Sequence, residues 1–123
     1  MYLRFETTQV DTQTGKNIGL FTLAYNLLRE NKLSADAAAA VETLLKWFKS
    51  NLPIPKKFTK KRNSSHNTNT PGISWLKAEE KEMVSKFWEL KNLLDEAGYH
   101  IEFIKVEYPG KIIYEDQFQV VAV

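Results

Sequence analysis

The seventeen residues from Lys56 to Gly72, "KKFTKKRNSSHNTNTPG", carry no apolar periodicity, and five of the first seven are basic. Such a stretch cannot sit inside an apolar core, because burying unpaired cations costs more than packing returns. A chain of 123 residues has the ordinary size of one domain. The segments on either side of the basic stretch must therefore share one core and leave that stretch outside it. The expectation is a single domain over residues 1–123, with 53–73 as a flexible basic and polar loop.

The flanks are legible by periodicity. In "YLRFETTQV" Leu3 and Phe5 fall on one face and Arg4, Glu6 and Thr8 on the other, as in a half-buried strand. After the turn-like "DTQTGKN", Ile18, Phe21, Tyr25 and Leu28 recur at helical spacing, widened by Leu20, Ala24 and Leu27. Ser34 is placed to cap a second helix, with Asp36 in its first turn, where the helix dipole favours negative charge. That helix puts Ala37, Val41, Leu44, Leu45 and Phe48 on one face, and Pro53 and Pro55 end it in an extended "LPIP" exit.

Beyond the basic stretch, "GISWLK" returns the chain to the body, with Ser74 expected as the N-cap of a third helix and Trp75 as its anchor. Met83, Phe87, Leu90 and Leu94 form the stripe of that helix, and Gly98 suits its left-handed end. The chain closes with two β-rich runs around Pro109-Gly110, a turn signal. Together these predict an α+β fold in the order β-α-α-α-β-β: a small, mostly antiparallel three-stranded sheet with three helices on one face and a long basic loop between helices 2 and 3. The N-terminal strand is expected at either edge of the C-terminal hairpin.

Charge is distributed unevenly. The net charge is +2, yet Lys56, Lys57, Lys60, Lys61 and Arg62 supply five of the 17 basic residues, so the rest of the chain, with 15 acidic residues, is mildly acidic. Cysteine is absent, which excludes disulfides, thiolate nucleophiles and Cys-ligated zinc. The first ten residues alternate instead of forming the apolar core of a signal peptide, and no apolar run reaches membrane-spanning length. The expectation is a soluble, cytoplasmic protein without a membrane role.

Three surfaces qualify as sites. The first is the basic stretch with Lys56, Lys57, Phe58, Lys60, Lys61, Arg62 and the returning Trp75. Five phosphate contacts imply a log–log salt slope of about −3.5 to −4.5, and Phe58 offers a stacking face for an unpaired base. The alternative reading is a linker whose charge keeps it solvated, with Trp75 as a packing anchor and not an interface hot spot. The second surface is the sheet face, where Arg4, Glu6, His100, Glu102, Tyr114, Glu115 and Asp116 can gather. One of Glu115 and Asp116 must point to the apolar face of a regular strand, where a raised pKa would suit acid–base work; a β-bulge, or backbone hydrogen bonds to Asp116, is the plainer explanation. The third is the aromatic excess of the helices, Trp47, Phe48, Phe87 and Trp88, which offers a subunit interface and makes a homo-oligomer a candidate. His66 and His100 lack the partners of a catalytic or metal-binding histidine, so no catalytic residue, metal or cofactor is assigned.

The tail "YPGKIIYEDQFQVVA", with "NLPIP" and "SWLK", resembles a family of small bacterial proteins of no assigned function that share the Pro-Gly, Tyr-Glu-Asp and Gln-Val-Val elements of the C-terminal hairpin. The resemblance implies one α+β unit and no activity. The functional expectation is a small non-enzymatic binding protein acting on another protein, such as an inhibitor or adaptor in bacterial or phage biology. Nucleic-acid binding through residues 56–62 is the alternative, and a small enzyme or ligand-binding domain with a Glu115/Asp116 site the third reading.

Overall fold

The computed structural model describes residues 1–12, 15, 17–56, 59–61 and 69–123, with the backbone alone at 59–61 and 69–71. Its elements are β1 (Tyr2–Val10), β2 (Asn17–Gly19), α1 (Leu20–Arg29), α2 (Ala35–Asn51), β3 (Thr59–Lys61), β4 (Asn69–Pro71), β5 (Ile73–Lys77), α3 (Lys81–Glu96), β6 (Glu102–Val106), β7 (Ile112–Glu115) and β8 (Gln119–Ala122). The protein is α+β with three helices and an antiparallel sheet. The sheet, however, has six strands where three were expected, and the element order is richer than β-α-α-α-β-β.

β1 lies inside the sheet. Tyr2 and Leu3 pair with Lys77 and Leu76 of β5 on one side and with Val106 and Lys105 of β6 on the other. Further along, Glu6 pairs with Gly19 of β2 on the β5 side. β5 continues to β8, and β8 to β7. The strand sequence across the sheet is therefore β6-β1-β5-β8-β7, with β2 sharing the β5 side of β1. Between these two pairings, Arg4 and Phe5 have register partners only on β6, which leaves a gap in the sheet between β2 and β5.

Two expectations about the C-terminal half are corrected here. Pro109-Gly110 does not turn a hairpin: β6 leaves along one edge of the sheet and β7 enters at the other, so the dipeptide sits in a crossover. Gly110 is needed for another reason. Its φ of +119° disfavours any side chain, and an added Cβ would lie 2.6 Å from the Val123 carbonyl oxygen. The true turn is Asp116–Phe118, closed when the Asp116 carboxylate accepts hydrogen bonds from the Phe118 and Gln119 amides at 2.9 and 3.1 Å. Ser74, expected to cap α3, lies in β5 instead, and α3 starts four residues after that strand with Glu80 at its N-cap. The other expected cap is present: the Ser34 hydroxyl accepts from the Ala37 amide at 3.2 Å.

The helices pack on the face of the sheet that carries Leu3 and Phe5. Val41, Leu44, Leu45 and Phe48 of α2 and Met83, Leu90 and Leu94 of α3 are buried with them. In α1 the buried line is Leu20, Leu23, Ala24 and Leu27, so the helix is rotated relative to the expected Ile18-Phe21-Tyr25-Leu28 stripe, and Tyr25 is 51% exposed. An aromatic chain ties the layers together: Phe5 meets Phe87 and Trp88 at 5.5 and 5.2 Å between centroids, and Phe48 meets Phe21 and Phe87 at 4.9 and 5.0 Å. Trp88, expected within an aromatic excess that could form a subunit interface, is half-buried against Phe5 and Phe103. No helix among the described residues is long and apolar enough to cross a membrane.

The expected loop over 53–73 contains an antiparallel ladder in which Thr59, Lys60 and Lys61 pair with Pro71, Thr70 and Asn69. Its lack of apolar alternation hid it, because β3 and β4 pair with each other and with no strand of the main sheet.

Candidate binding cleft

The gap in the sheet opens onto a cleft of about 640 Å³. Its floor is apolar, built by Leu20 and Phe21 of α1, Leu45 and Phe48 of α2 and Phe87 of α3. One rim is the exit of α2, Leu52–Pro55; another is Gly72–Ser74, where the chain returns. Pro55 and Gly72 flank the basic stretch in sequence, so the β3–β4 ladder is rooted at the mouth of this cleft. Tyr25 and Ile54 stand on the rim, and Ile54 is 83% exposed. A single exposed isoleucine is ordinary on a protein surface, so what marks this place is that Ile54 and Tyr25 continue the apolar lining of the hollow outward onto its rim.

Arg4 bridges the gap. Its Nη1 donates to the Ser74 carbonyl at 3.1 Å and its Nη2 to the Asn17 carbonyl at 3.2 Å, so one guanidinium ties β5 to β2 where neither can reach the other through a ladder. Nε pairs with Glu6, whose second oxygen accepts from the Asn17 amide nitrogen at 3.3 Å. The planar fork of arginine suits this three-way task, and a lysine ammonium would not span it. Across β1 and β6, Glu6 sits opposite Glu102, and the Arg4 charge offsets that like-charged pairing. Deeper on the same wall, the Ser74 hydroxyl donates to Gln119 Oε1 at 3.0 Å, and Gln119 Nε2 donates to the Pro53 carbonyl at 2.6 Å. The buried Gln119 thereby pins the α2 exit to β8.

The sheet-face residues do not converge. Arg4, Glu6 and Glu102 are neighbours on β1 and β6, whereas Tyr114 and Glu115 stand on β7 at the opposite edge, with β5 and β8 between. Glu115 pairs with Lys77 at 2.6 Å. Burial alone would raise the Asp116 carboxyl, but hydrogen bonds from the Phe118 amide, the Tyr114 hydroxyl and Gln119 outweigh it and hold the group below the usual carboxylate range. That direction is opposite to the one an acid would use at neutral pH. The same contact, with burial, raises the Tyr114 hydroxyl. His100 is exposed just before β6. Among the described residues no three His, Asp or Glu side chains gather in a metal-binding group.

Of the basic stretch, Lys56 is exposed and Lys60 and Lys61 lie on β3, while Lys57, Phe58, Arg62 and His66 fall outside the described residues. Trp75 is half-buried on β5 opposite Val120, and its indole N–H is shielded from solvent with no acceptor among the described residues. Sequence reasoning gave no site role to Lys49 or Ile54, and it placed Tyr25 in the apolar stripe of α1 instead of on a binding surface. The signal that was available is "LPIP" itself, since an isoleucine between two prolines belongs to no helix or ladder that would bury it.

Comparison with protein-family models, curated proteins and solved structures returned no match to this chain. The resemblance of its C-terminal hairpin to small bacterial proteins is therefore without a matched relative in these comparisons.

Proposed function

We propose that the protein is a non-enzymatic binding module that engages another protein through the cleft at the root of the β3–β4 ladder. The observation that carries this reading is the pairing of an apolar hollow with exposed apolar groups on its rim, Ile54 above all. A small ligand in the hollow would touch only the inner sides of Ile54 and Tyr25, which line it, and leave their outer faces wet; a macromolecular surface would cover both while inserting a side chain between them. The polar groups of the walls already bond one another, so apolar burial supplies the binding energy and the walls supply shape.

The basic stretch favours nucleic acid as the second reading, on its charge alone. Site-specific photo-cross-linking in the native host separates the two. A benzophenone side chain placed at position 54 should yield a protease-sensitive, nuclease-resistant adduct that is absent when the same group replaces Glu107, which is exposed just after β6 and is not among the residues lining the cleft. An adduct destroyed by nuclease, or equal yields at 54 and 107, would overturn the protein-binding reading.

A further inference from the structure

We infer that the occupant of the cleft is an acidic peptide segment bearing one bulky apolar anchor residue, a partner chemistry that rests on the protein-binding reading above. The anchor follows from the floor. Phe21, Phe48 and Phe87 present aromatic surfaces around a hollow whose volume exceeds that of a single large side chain, so a leucine or aromatic residue fits with room for its neighbours. The charge follows from the rim. Lys49 lines the cleft, Lys56 follows directly on the lining residue Pro55, and both are exposed; among the described residues neither takes part in an ion pair. In the sequence, the stretch from Lys56 to Gly72 that leads away from this rim contains no acidic residue.

Among the described residues Asp11 is the one carboxylate that lines the cleft, and it has interactions of its own. Glu6 is committed to Arg4 and Asn17. The mouth is thus net positive around an apolar centre, on a body that is otherwise mildly acidic. A neutral or basic segment would gain the apolar contact alone, while an acidic one gains steering and rim pairing as well. Single-stranded nucleic acid matches the charge, and its bases stack on phenylalanine, but their polar edges would go unpaired against Leu20, Leu45 and Phe48, where a hydrocarbon side chain has nothing to lose.

The test is selection of a phage-displayed random dodecamer library on the full chain, followed by fluorescence anisotropy of the recovered peptides against wild type, Ile54→Asp, and the double variant Lys49→Glu/Lys56→Glu. All three substituted positions are exposed, so the fold is retained and circular dichroism verifies it. The inference expects recovered sequences with one large apolar residue flanked by two or more Asp or Glu, bound at least tenfold more weakly by each variant and progressively more weakly as salt rises. Peptides that are neutral or basic, weakened by Ile54→Asp but not by the lysine changes, would overturn the acidic assignment and leave the cleft as the site. Peptides indifferent to all three substitutions, or none recovered while a labelled oligonucleotide binds, would overturn the cleft reading itself.

Discussion

Replacing Arg4 with methionine keeps the aliphatic stem and removes the guanidinium that ties β2 to β5. The variant loses two charge-assisted hydrogen bonds, to the Ser74 and Asn17 carbonyls, and the ion pair with Glu6. Bonds to a charged group contribute about 1.5–3 kcal/mol each, and the lengths of 3.1 and 3.2 Å place these two at the weak end, so together they account for about 3 kcal/mol. Glu6 retains its bond from Asn17, and its side chain is 13% exposed, so leaving it without its cation adds a further cost of about 1 kcal/mol. The expected loss of about 3–4 kcal/mol is a large part of the roughly 5–15 kcal/mol that holds a domain together. Urea unfolding followed by fluorescence of Trp47, Trp75 and Trp88 measures it. Hydrogen exchange should show the loss concentrated at Asn17–Gly19, because β2 has only β1 left to pair with. In a double-mutant cycle with Glu6→Gln, a coupling of about 1 kcal/mol or more is expected. A loss below about 1 kcal/mol, or faster exchange spread evenly over the sheet, would refute the claim that one side chain bridges the gap.

Two further outcomes follow from the C-terminal hairpin. Asp116 has a folded-state pKa below its ordinary value, so the stability it contributes is present above about pH 3.9 and is lost as pH falls through the folded-state value. Asp116→Asn should therefore destabilise the protein at pH 7, with the difference from wild type shrinking on acidification in urea titrations across pH 2–7; a difference that grew toward low pH would contradict the assignment. Gly110→Ala forces a Cβ against the Val123 carbonyl at a positive φ. It should lower the melting temperature and speed amide exchange at Lys111 and Val123, which bond each other at 3.0 and 2.9 Å.

What the sequence revealed and what it hid divide along the range of the interactions. α2 was legible because stripe, cap and stop are local: Ser34, the Val41–Phe48 face and the prolines after Leu52 all act within a few residues of the element they define, whereas α3 was legible by its stripe and its Gly98 end but not by its cap. α1 was found but turned: its apolar face, centred on Leu20, Leu23, Ala24 and Leu27 and opposed by Thr22, Asn26 and Arg29, is well defined, but counting Ile18, which lies in β2, into the stripe drew the expected face toward Tyr25. The C-terminal strands were located but mispaired. Pro109-Gly110 outranks Asp116-Gln117 as a turn by composition, yet the pairing of β6 with β1 is decided by side chains a hundred positions away. "ISWLK" was read as a helix start because the partner that makes it a strand is β8, far along the chain. The cleft was invisible for the same reason: its floor draws on three helices, its rim on two loops, and its gap on the failure of β2 and β5 to meet along β1.

The central claim is that the hollow beside Ile54 is where the protein meets its partner. The most direct measurement is a two-dimensional amide NMR titration of the full chain with the tightest peptide recovered from the library. The account predicts shifts concentrated in residues 18–25, 49–56 and 72–76, the segments that line the cleft and its mouth. Shifts centred on 112–118 or on the outer edge of β6, with the cleft segments unmoved, would contradict it.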